Sequence, residues 1–157
     1  MKILAIDPGY DRCGCAILDG DGAVLSSSCI TTDKKDTLEA RFAHVYRELQ
    51  NLIETEQPDH IALETLFFSV NKKTVINVAQ ARGIVVLLAG IYSIPLVELS
   101  PQEVKIALTG MGNATKDQVI RMVFMTLKID TSKKLDDEID AIALGIASLG
   151  AIKQKSW

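Results

Sequence analysis

Cysteine is scarce in this sequence, with three residues in 157, and none of them forms a CxxC pair. An odd number in this arrangement argues against a disulfide framework and against a structural zinc site. We therefore interpret Cys13, Cys15 and Cys29 as small apolar residues of a protein in a reducing compartment. Cys13 and Cys15 are two residues apart, so we expect them to share one face of a strand.

Long apolar runs are also missing. No stretch approaches the roughly 18 consecutive apolar residues of a membrane span, and the longest, residues 84–91, is short and contains Gly90. Asp7 interrupts the first apolar run, which argues against a signal peptide. We therefore expect a cytoplasmic protein with no membrane partner.

Repeats, low-complexity tracts and interdomain linkers are absent as well. The chain is 48% hydrophobic and 24% charged, the ordinary composition of a soluble globular protein. Its length suits one domain, so we predict a single domain over residues 1–157.

The formal net charge of −3 is distributed unevenly. Residues 1–64 hold 6 Lys/Arg and 12 Asp/Glu, residues 65–134 hold 9 and 4, and residues 135–157 hold 2 and 4. A polyanion could bind to the basic middle segment while the flanking acids hold metal. A solvated surface that happens to be basic explains the charge equally well, so charge alone does not decide.

The apolar pattern predicts an α/β fold. Short runs at 2–6, 13–18 and 24–30 indicate three antiparallel strands, with Asp19-Gly20-Asp21-Gly22 as a hairpin turn. A helix after Asp36 and a strand at 60–63 complete a βαβ unit, whose strands should run parallel. One more strand at 95–99 and helices at 73–92, 101–108, 115–127 and from 136 onward follow. We expect one mixed sheet of about five strands with helices on both faces.

The helix at 73–92 carries apolar residues on several faces, so it must be covered on more than one side. Burial within the monomer is the default explanation, and a dimer contact is the alternative.

Four carboxylates stand at the ends of these elements. Asp7 and Glu64 end two neighbouring parallel strands, at the sheet edge where α/β proteins bind ligands. Asp137 and Asp140 are three residues apart at the start of a helix, so they share one face, and Asp136 is the expected N-cap. Each alone has an ordinary explanation as a turn former, a solvated acid or a helix-start acid. Those explanations weaken when one fold brings all four ends together.

Four carboxylates in one place repel one another, and a hard divalent cation relieves that repulsion. Ligands made only of oxygen favour Mg²⁺ or Mn²⁺. Two such ions about 3.5–4 Å apart can clamp an in-line phosphoryl displacement. The four acids therefore predict metal-dependent phosphodiester chemistry.

Several further segments carry a resemblance to a known family. In order they are Ile3-Leu4-Ala5-Ile6-Asp7-Pro8-Gly9, Leu63-Glu64-Thr65-Leu66-Phe67-Phe68, Asn71, Gln80-Ala81-Arg82-Gly83, Pro101 with Val104-Lys105, Thr109-Gly110-Met111-Gly112, Lys116-Asp117-Gln118-Val119 and Asp137-Glu138-Ile139-Asp140-Ala141-Ile142-Ala143. The matches are collinear and cover nearly the whole chain. The sequence resembles the RuvC family of bacterial Holliday junction resolvases, within the RNase H-like superfamily.

The resemblance implies a structure-specific endonuclease for DNA recombination and repair. A homodimer would bind a four-way junction and nick two strands of like polarity symmetrically, leaving 5′-phosphate and 3′-hydroxyl ends. The four acids match the family's catalytic and metal-binding set, with Mg²⁺ as cofactor, two ions per site and Mn²⁺ as a substitute. The RuvA and RuvB branch-migration complex is the implied partner.

The resemblance also assigns residues that contact DNA. Phe67 matches an aromatic that stacks on a base near the exchange point, although a core position would be its ordinary explanation. Lys105 and Lys116 match lysines near the scissile phosphate, where a solvated surface lysine is the ordinary alternative. Weaker candidates for backbone contacts are Lys72, Lys73, Arg82 and Arg121.

Three positions depart from the family pattern. Cys13 stands where a small hydroxyl residue usually precedes Gly14, and Glu138 and Ile139 replace two alanines between the last acids. Glu138 lies about 100° from Asp137 around the helix, so we expect it to face solvent, with a role in supporting the metal ligands as the alternative.

Three other functions compete. A sugar kinase or actin-like ATPase would need a second lobe and phosphate loops, and no P-loop is present. A non-catalytic junction-binding protein would not need four intact acids. An RNase H-like nuclease for another substrate is disfavoured only by the placement of Phe67 and the lysines.

Overall fold

A computed structural model describes residues 1–66, 72–127 and 134–154, and the side chains within those ranges other than those of residues 72–74 and 154. Five strands form one sheet with the spatial order β3-β2-β1-β4-β5. The strands are β1 (Lys2–Asp7), β2 (Arg12–Asp19), β3 (Val24–Thr31), β4 (His60–Glu64) and β5 (Leu96–Leu99). β1, β2 and β3 are antiparallel neighbours, whereas β4 and β5 run parallel to β1. The predicted mixed five-stranded sheet is confirmed.

Helices cover both faces of this sheet, as predicted. They are α1 (Leu38–Glu56), α2 (Lys72–Tyr92), α3 (Pro101–Thr109), α4 (Lys116–Leu127) and α5 (Asp136–Gln154). Local signals place their ends. Thr37 caps α1, and Ser100 forms a capping box with Glu103 at the start of α3, which begins with Pro101.

Alternate residues of the central strands face opposite sides of the sheet and build two cores. Leu4 and Ile6 of β1 pack with α1 and α2, together with both buried cysteines, Cys13 and Cys15. Ile3 and Ala5 pack with α3, α4 and α5. Because β1 is buried on both faces, its sequence is a continuous apolar run rather than an alternating one.

Helix α5 packs closely across β2 because glycine stands at two points of contact. A Cβ on Gly14 would lie 1.9 Å from the carbonyl oxygen of Asp137, and a Cβ on Gly145 would lie 2.2 Å from Leu18. No side chain fits at Gly14, since its neighbour is backbone. The absence of a side chain there lets the first turn of α5 reach the sheet edge that carries Asp7.

Helix α2 is exposed along one face. Within the described part of the chain, its segment Val75–Tyr92 is the one stretch long and apolar enough to cross a membrane, a criterion that helices of soluble proteins also meet. Ala81, Val85 and Leu88 are buried against the sheet, but Ile76 and Leu87 are 63% and 56% exposed. The helix therefore buries one side and leaves an apolar side uncovered.

Candidate active site

Asp7 and Glu64 are the last residues of two adjacent parallel strands. The register pairs Ile6 of β1 with Leu63 of β4, so the two acids follow side by side at one edge of the sheet. The prediction that these acids lie at the carboxyl ends of neighbouring parallel strands is confirmed. This edge is where ligands bind in open α/β sheets.

The first turn of α5 brings the other two acids to this edge. The helix begins at Asp136, and the backbone N–H groups of Glu138 and Ile139 both donate to the carbonyl of Leu135. Leu135 therefore occupies the N-cap position, and the expectation that Asp136 caps the helix is wrong. Asp137 and Asp140 follow in the first turns, where the helix dipole favours negative charge.

Three of the four acids line one cavity of about 280 Å³. Asp7, Glu64 and Asp140 provide its carboxylates, and Lys105 and Lys116 provide its positive charges. Its apolar wall comes from α3, α4 and α5, through Pro101, Val104, Val119, Ala143 and Leu144. Two predicted lysines and three predicted acids thus share a single concave site.

The carboxylates perturb one another. Burial, together with the charges of Asp140, Glu64 and Asp137, raises the pKa of Asp7 from 3.8 to about 7. Burial and the charge of Asp140 raise the pKa of Glu64, although Lys105 opposes this. Burial also raises the pKa of Asp140 against the lowering effect of Lys116. Burial is thus the main cause of the raised pKa values, and the three carboxylates of the cavity outnumber its two lysines.

Lys116 is held among the acids of α5. Its Nζ donates to Oδ2 of Asp140 at 2.9 Å and lies 3.5 Å from Oδ2 of Asp136. Burial lowers the pKa of Lys116, but the hydrogen bonds and charges of Asp140 and Asp136 outweigh it and the pKa is raised. A cation at the mouth of an acidic cavity is thus kept charged.

Asp137 faces away from this cavity. Its Oδ2 lies 2.9 Å from Nε of Arg12, the first residue of β2. It lines a neighbouring cavity of about 520 Å³ with residues of the β1–β2 turn and the end of β3, among them Tyr10 and Thr31. Its charge still contributes to raising the pKa of Asp7 and of Asp140. The structure therefore brings three acids together and leaves the fourth beside them.

Glu138 does not face solvent as expected. Its carboxylate accepts a hydrogen bond from Oγ of Ser27 at 2.8 Å, and Nζ of Lys134 lies 3.4 Å away. Its side chain is only 13% exposed because β3 runs alongside the first turn of α5. Glu138 does point in a different direction from Asp137 around the helix, but that direction leads to β3 rather than to solvent.

The remaining predicted DNA contacts have different positions. Arg82 of α2 donates from Nε to the carbonyl of Glu64 at 3.4 Å and forms an ion pair with Glu98, so it braces the end of β4. Arg121 is exposed on α4. Lys72 and Lys73 begin α2, with side chains outside the described atoms, and Phe67 lies outside the described residues.

The carboxylates suit a hard divalent cation in chemistry but are not drawn together around one. Within residues 1–66, 72–127 and 134–154, no three acidic, histidine or cysteine side chains form a ready-made metal group. Lys116 forms an ion pair with Asp140 and Arg12 forms one with Asp137, and these pairs direct the two carboxylates apart. An ion bound by these oxygens would compensate the charge that raises the pKa of Asp7.

Sequence reasoning missed two residues that shape this site. Gly14 had a detectable signal, since a glycine inside a buried strand often marks close backbone approach. Arg12 had none, because the contact joins the start of β2 to a helix more than a hundred residues later.

Comparison with known proteins agrees with the geometry. Residues 3–148 match the model of the family described as crossover junction endodeoxyribonuclease RuvC. The chain is similar to proteins of that name from Thermosipho melanesiensis, at 40% identity over 92% of this chain and 94% of the relative, and from Finegoldia magna, at 39% identity over 99% and 96%.

Solved structures share the fold. One is Thermus thermophilus RuvC in complex with a Holliday junction substrate, which has a TM-score of 0.89 and 24% identity and covers 98% of this chain and 96% of its own. Another is the yeast mitochondrial Holliday junction resolvase, with a TM-score of 0.68 and 17% identity over 98% of this chain and 80% of its own.

Proposed function

The chain belongs to the RuvC family of crossover junction endodeoxyribonucleases, and we propose that it cuts Holliday junctions with Asp7, Glu64, Asp137 and Asp140 as its catalytic carboxylates. The enzyme is an endonuclease of DNA recombination and repair, as its relatives are. One observation carries the residue assignment: acids from β1, β4 and α5 converge on one sheet edge, where burial and the neighbouring carboxylate charges raise the pKa of Asp7 to about 7.

The same four carboxylates would hold the divalent cation. We assign Mg²⁺, in two ions per site, with Mn²⁺ as a substitute, because the donors are all oxygens. Bound there, the metal would supply Lewis acidity and would activate water for in-line displacement at a phosphodiester. The products are a 5′-phosphate and a 3′-hydroxyl end.

The lysines of the cavity handle the substrate charge. Lys105 and Lys116 line the same cavity as Asp7, Glu64 and Asp140, on the side formed by α3 and α4. Each can neutralise part of the negative charge that develops on the phosphate in the transition state. Because Lys116 stays charged beside Asp140, it also orients that carboxylate.

A homodimer accounts for the exposed face of α2. Ile76, Gly83, Leu87, Gly90 and Ile91 lie on one stripe of the helix, and none of them is charged. Gly83 and Gly90 have no other atoms within 4 Å of a built Cβ, so a second helix could approach closely there. An apolar stripe of this kind is more stable against a two-fold related copy than in water.

The dimer matches its substrate in symmetry. A four-way junction has pseudo-two-fold symmetry, so two related sites can nick two strands of like polarity. We assign Phe67 to base stacking at the exchange point, and Lys72, Lys73, Arg82 and Arg121 to the DNA backbone. Of these, Arg82 contributes to the site regardless, since it supports the end of β4.

The proposal also covers the domain organisation and the cellular location of the enzyme. We propose that residues 1–157 form one nuclease domain, because all five strands belong to one sheet. The enzyme acts in the cytoplasm, where the RuvA and RuvB branch-migration complex delivers its junctions.

Cleavage of a synthetic four-way junction in Mg²⁺ tests the function. Asp7→Asn should lower the cleavage rate roughly a thousandfold, because a metal ligand and its charge are lost, while junction binding in Ca²⁺ persists. Asp21→Asn is the matched control, since Asp21 lies in the hairpin turn at the opposite end of the sheet. Duplex DNA and an RNA–DNA hybrid serve as competing substrates.

Wild-type cutting by Asp7→Asn would refute the active-site assignment. Faster cutting of the hybrid than of the junction would instead favour another RNase H-like nuclease activity.

A further inference from the structure

We infer that Arg12 is a positioning residue, whose ion pair holds Asp137 out of the metal-binding set until a divalent cation displaces it. The inference rests on the proposed function, because it takes Asp137 to be one of the metal ligands. It goes further by giving a role to a residue outside that set.

The positions of the four acids support it. Asp7, Glu64 and Asp140 line one cavity, whereas Asp137 lines the neighbouring cavity that Arg12 also lines. Asp137 and Asp140 are three residues apart at the start of α5, yet their side chains line different cavities. The side chain of Asp137 points toward the guanidinium group of Arg12.

Close packing and hydrogen bonds seat the backbone that carries Asp137, so a change of rotamer is the smallest movement that redirects its side chain. The carbonyl of Asp137 lies where a Cβ on Gly14 would sit, which seats the turn against β2. Ser27 and Lys134 hold Glu138, the next residue, through its carboxylate. Recruitment of Asp137 by a metal therefore requires a rotamer change and no movement of α5.

The contact between Arg12 and Asp137 is weak enough to be displaced. Arg12 is 48% exposed and Asp137 is 21% exposed, with 2.9 Å between Nε and Oδ2. The approach falls outside hydrogen-bond geometry, and Oδ2 is buried without a hydrogen-bond donor in the described part of the chain. A carboxylate held by charge alone is available to a better cation.

A competing ion pair lowers the apparent affinity for metal. Because the guanidinium group of Arg12 is half-exposed and screened by solvent, the expected penalty is about three- to fivefold in the dissociation constant. Removing the guanidinium should therefore tighten metal binding by that factor. The gain should require the carboxylate of Asp137.

Binding of Mn²⁺ to the DNA-free full-length protein, followed by isothermal titration calorimetry, tests this without relying on activity. Arg12→Gln should lower the Mn²⁺ dissociation constant about three- to fivefold, and Arg12→Lys, which keeps the charge, should restore much of the wild-type value. Lys34→Gln is the matched control, because Lys34 lines the same cavity but pairs with Asp11, and its effect should stay below about twofold.

The double variant Arg12→Gln/Asp137→Asn separates positioning from simple charge. Relative to Asp137→Asn alone it should show no gain. A gain that persists in that background, or an equal gain from Lys34→Gln, would overturn the inference, as would unchanged Mn²⁺ binding by Arg12→Gln. Thermal unfolding of each variant identifies any loss of fold.

The failure of the proposed function has a different signature. If neither wild type nor any variant binds Mn²⁺, both the metal assignment and the inference fail. If Asp7→Asn weakens Mn²⁺ binding while Arg12→Gln leaves it unchanged, the metal site stands and only the inference is lost.

Discussion

Asp7 is a carboxylate whose pKa is raised far above its ordinary value. It ends the central strand, is surrounded by core and faces the charges of Asp140, Glu64 and Asp137. Such a position costs stability whenever the carboxylate is ionised without a counter-ion. That cost is what a divalent cation would remove.

The stability of the metal-free protein should therefore depend on pH through Asp7. The folded state raises the pKa from 3.8 to about 7, so between those values the folded state binds the proton more strongly than the unfolded state. The free energy of unfolding should fall as pH rises across that window, by up to about 4 kcal/mol at about 1.4 kcal/mol per pH unit, and then level off.

Urea unfolding in EDTA at about pH 4.5, 6 and 7.5, which cover most of the interval between the two pKa values of Asp7, measures this effect. Asp7→Asn is the comparison. The variant should lose most of the decline. A decline of the same size in Asp7→Asn would assign the dependence to other groups.

Phe67 should matter more for junction cleavage than for binding to duplex DNA. Phe67→Ala should weaken junction cleavage by roughly 1–3 kcal/mol in the transition state, because one base loses its stacking platform. Binding to ordinary duplex should change less. Phe124→Ala, which removes an exposed aromatic from α4, is the matched control. Equal losses in cleavage and duplex binding would count against stacking.

At the scale of elements, the active site depends on how closely α5 approaches β2. The two acids of α5 reach the sheet edge because a glycine in β2 leaves room for the helix backbone. The side chains of Ser27 and Lys134 then fix the turn from the other side. Packing between a strand and a helix, rather than a loop, thus sets the geometry of the site.

Gly14→Ala should displace the first turn of α5. The added Cβ would meet backbone at 1.9 Å, so the helix must shift, at a cost of about 1–3 kcal/mol in unfolding free energy. Junction cleavage should fall by more than the lost stability explains, because Asp137 and Asp140 move with the helix.

Gly150→Ala is the control for Gly14→Ala. Gly150 lies in α5, the helix that Gly14→Ala would displace, with nothing within 4 Å of a built Cβ, so its substitution should be neutral or slightly stabilising. Urea unfolding and cleavage kinetics of both variants test whether the close contact at Gly14 sets stability and activity. Unchanged cleavage in Gly14→Ala would mean that the site does not depend on this contact.

Local patterns in the sequence predicted the elements and their order well, because apolar periodicity, the Asp-Gly hairpin and the Ser100-Pro101 start of α3 are signals carried by neighbouring residues. The same patterns placed Asp7 and Glu64 correctly. They could not orient Asp137 or Glu138, since Arg12 and Ser27 contact these side chains across more than a hundred residues. Tertiary contacts decide rotamers that helical spacing leaves open.

At the scale of the whole molecule, one core is complete and the other continues to the surface. The face of the sheet under α5 is covered by three helices. On the opposite face, α2 buries one side and exposes Ile76, Leu87 and Ile91 on the other. Of Val75–Tyr92, 22% is buried in the described part of the chain, and the exposed side is the surface on which the proposed dimer would form.

Leu87→Lys should separate the proposed dimer. Two-fold symmetry places the new charge in the interface twice, so we expect the dimer dissociation constant to rise roughly a hundredfold or more. Sedimentation velocity measures the state of assembly, and Mn²⁺ binding checks that each protomer keeps its site. Paired nicking of a junction should be lost.

Met125→Lys is the matched control for Leu87→Lys, because Met125 is a similarly exposed apolar residue on α4. It should leave assembly unchanged. The exposed face of α2 is not the dimer interface if the wild-type protein sediments as a monomer at all concentrations. The same conclusion follows if Leu87→Lys still dimerises.

The uncovered stripe of α2 also has a genetic consequence. If two subunits meet there and each supplies one nick, a cell that makes both wild-type and Asp7→Asn subunits will assemble mixed pairs. A mixed pair can cut one strand of a junction but not its counterpart, which leaves a nicked branch instead of two separate duplexes. The inactive allele should therefore be dominant over the active one, and adding Leu87→Lys to that allele should make it recessive.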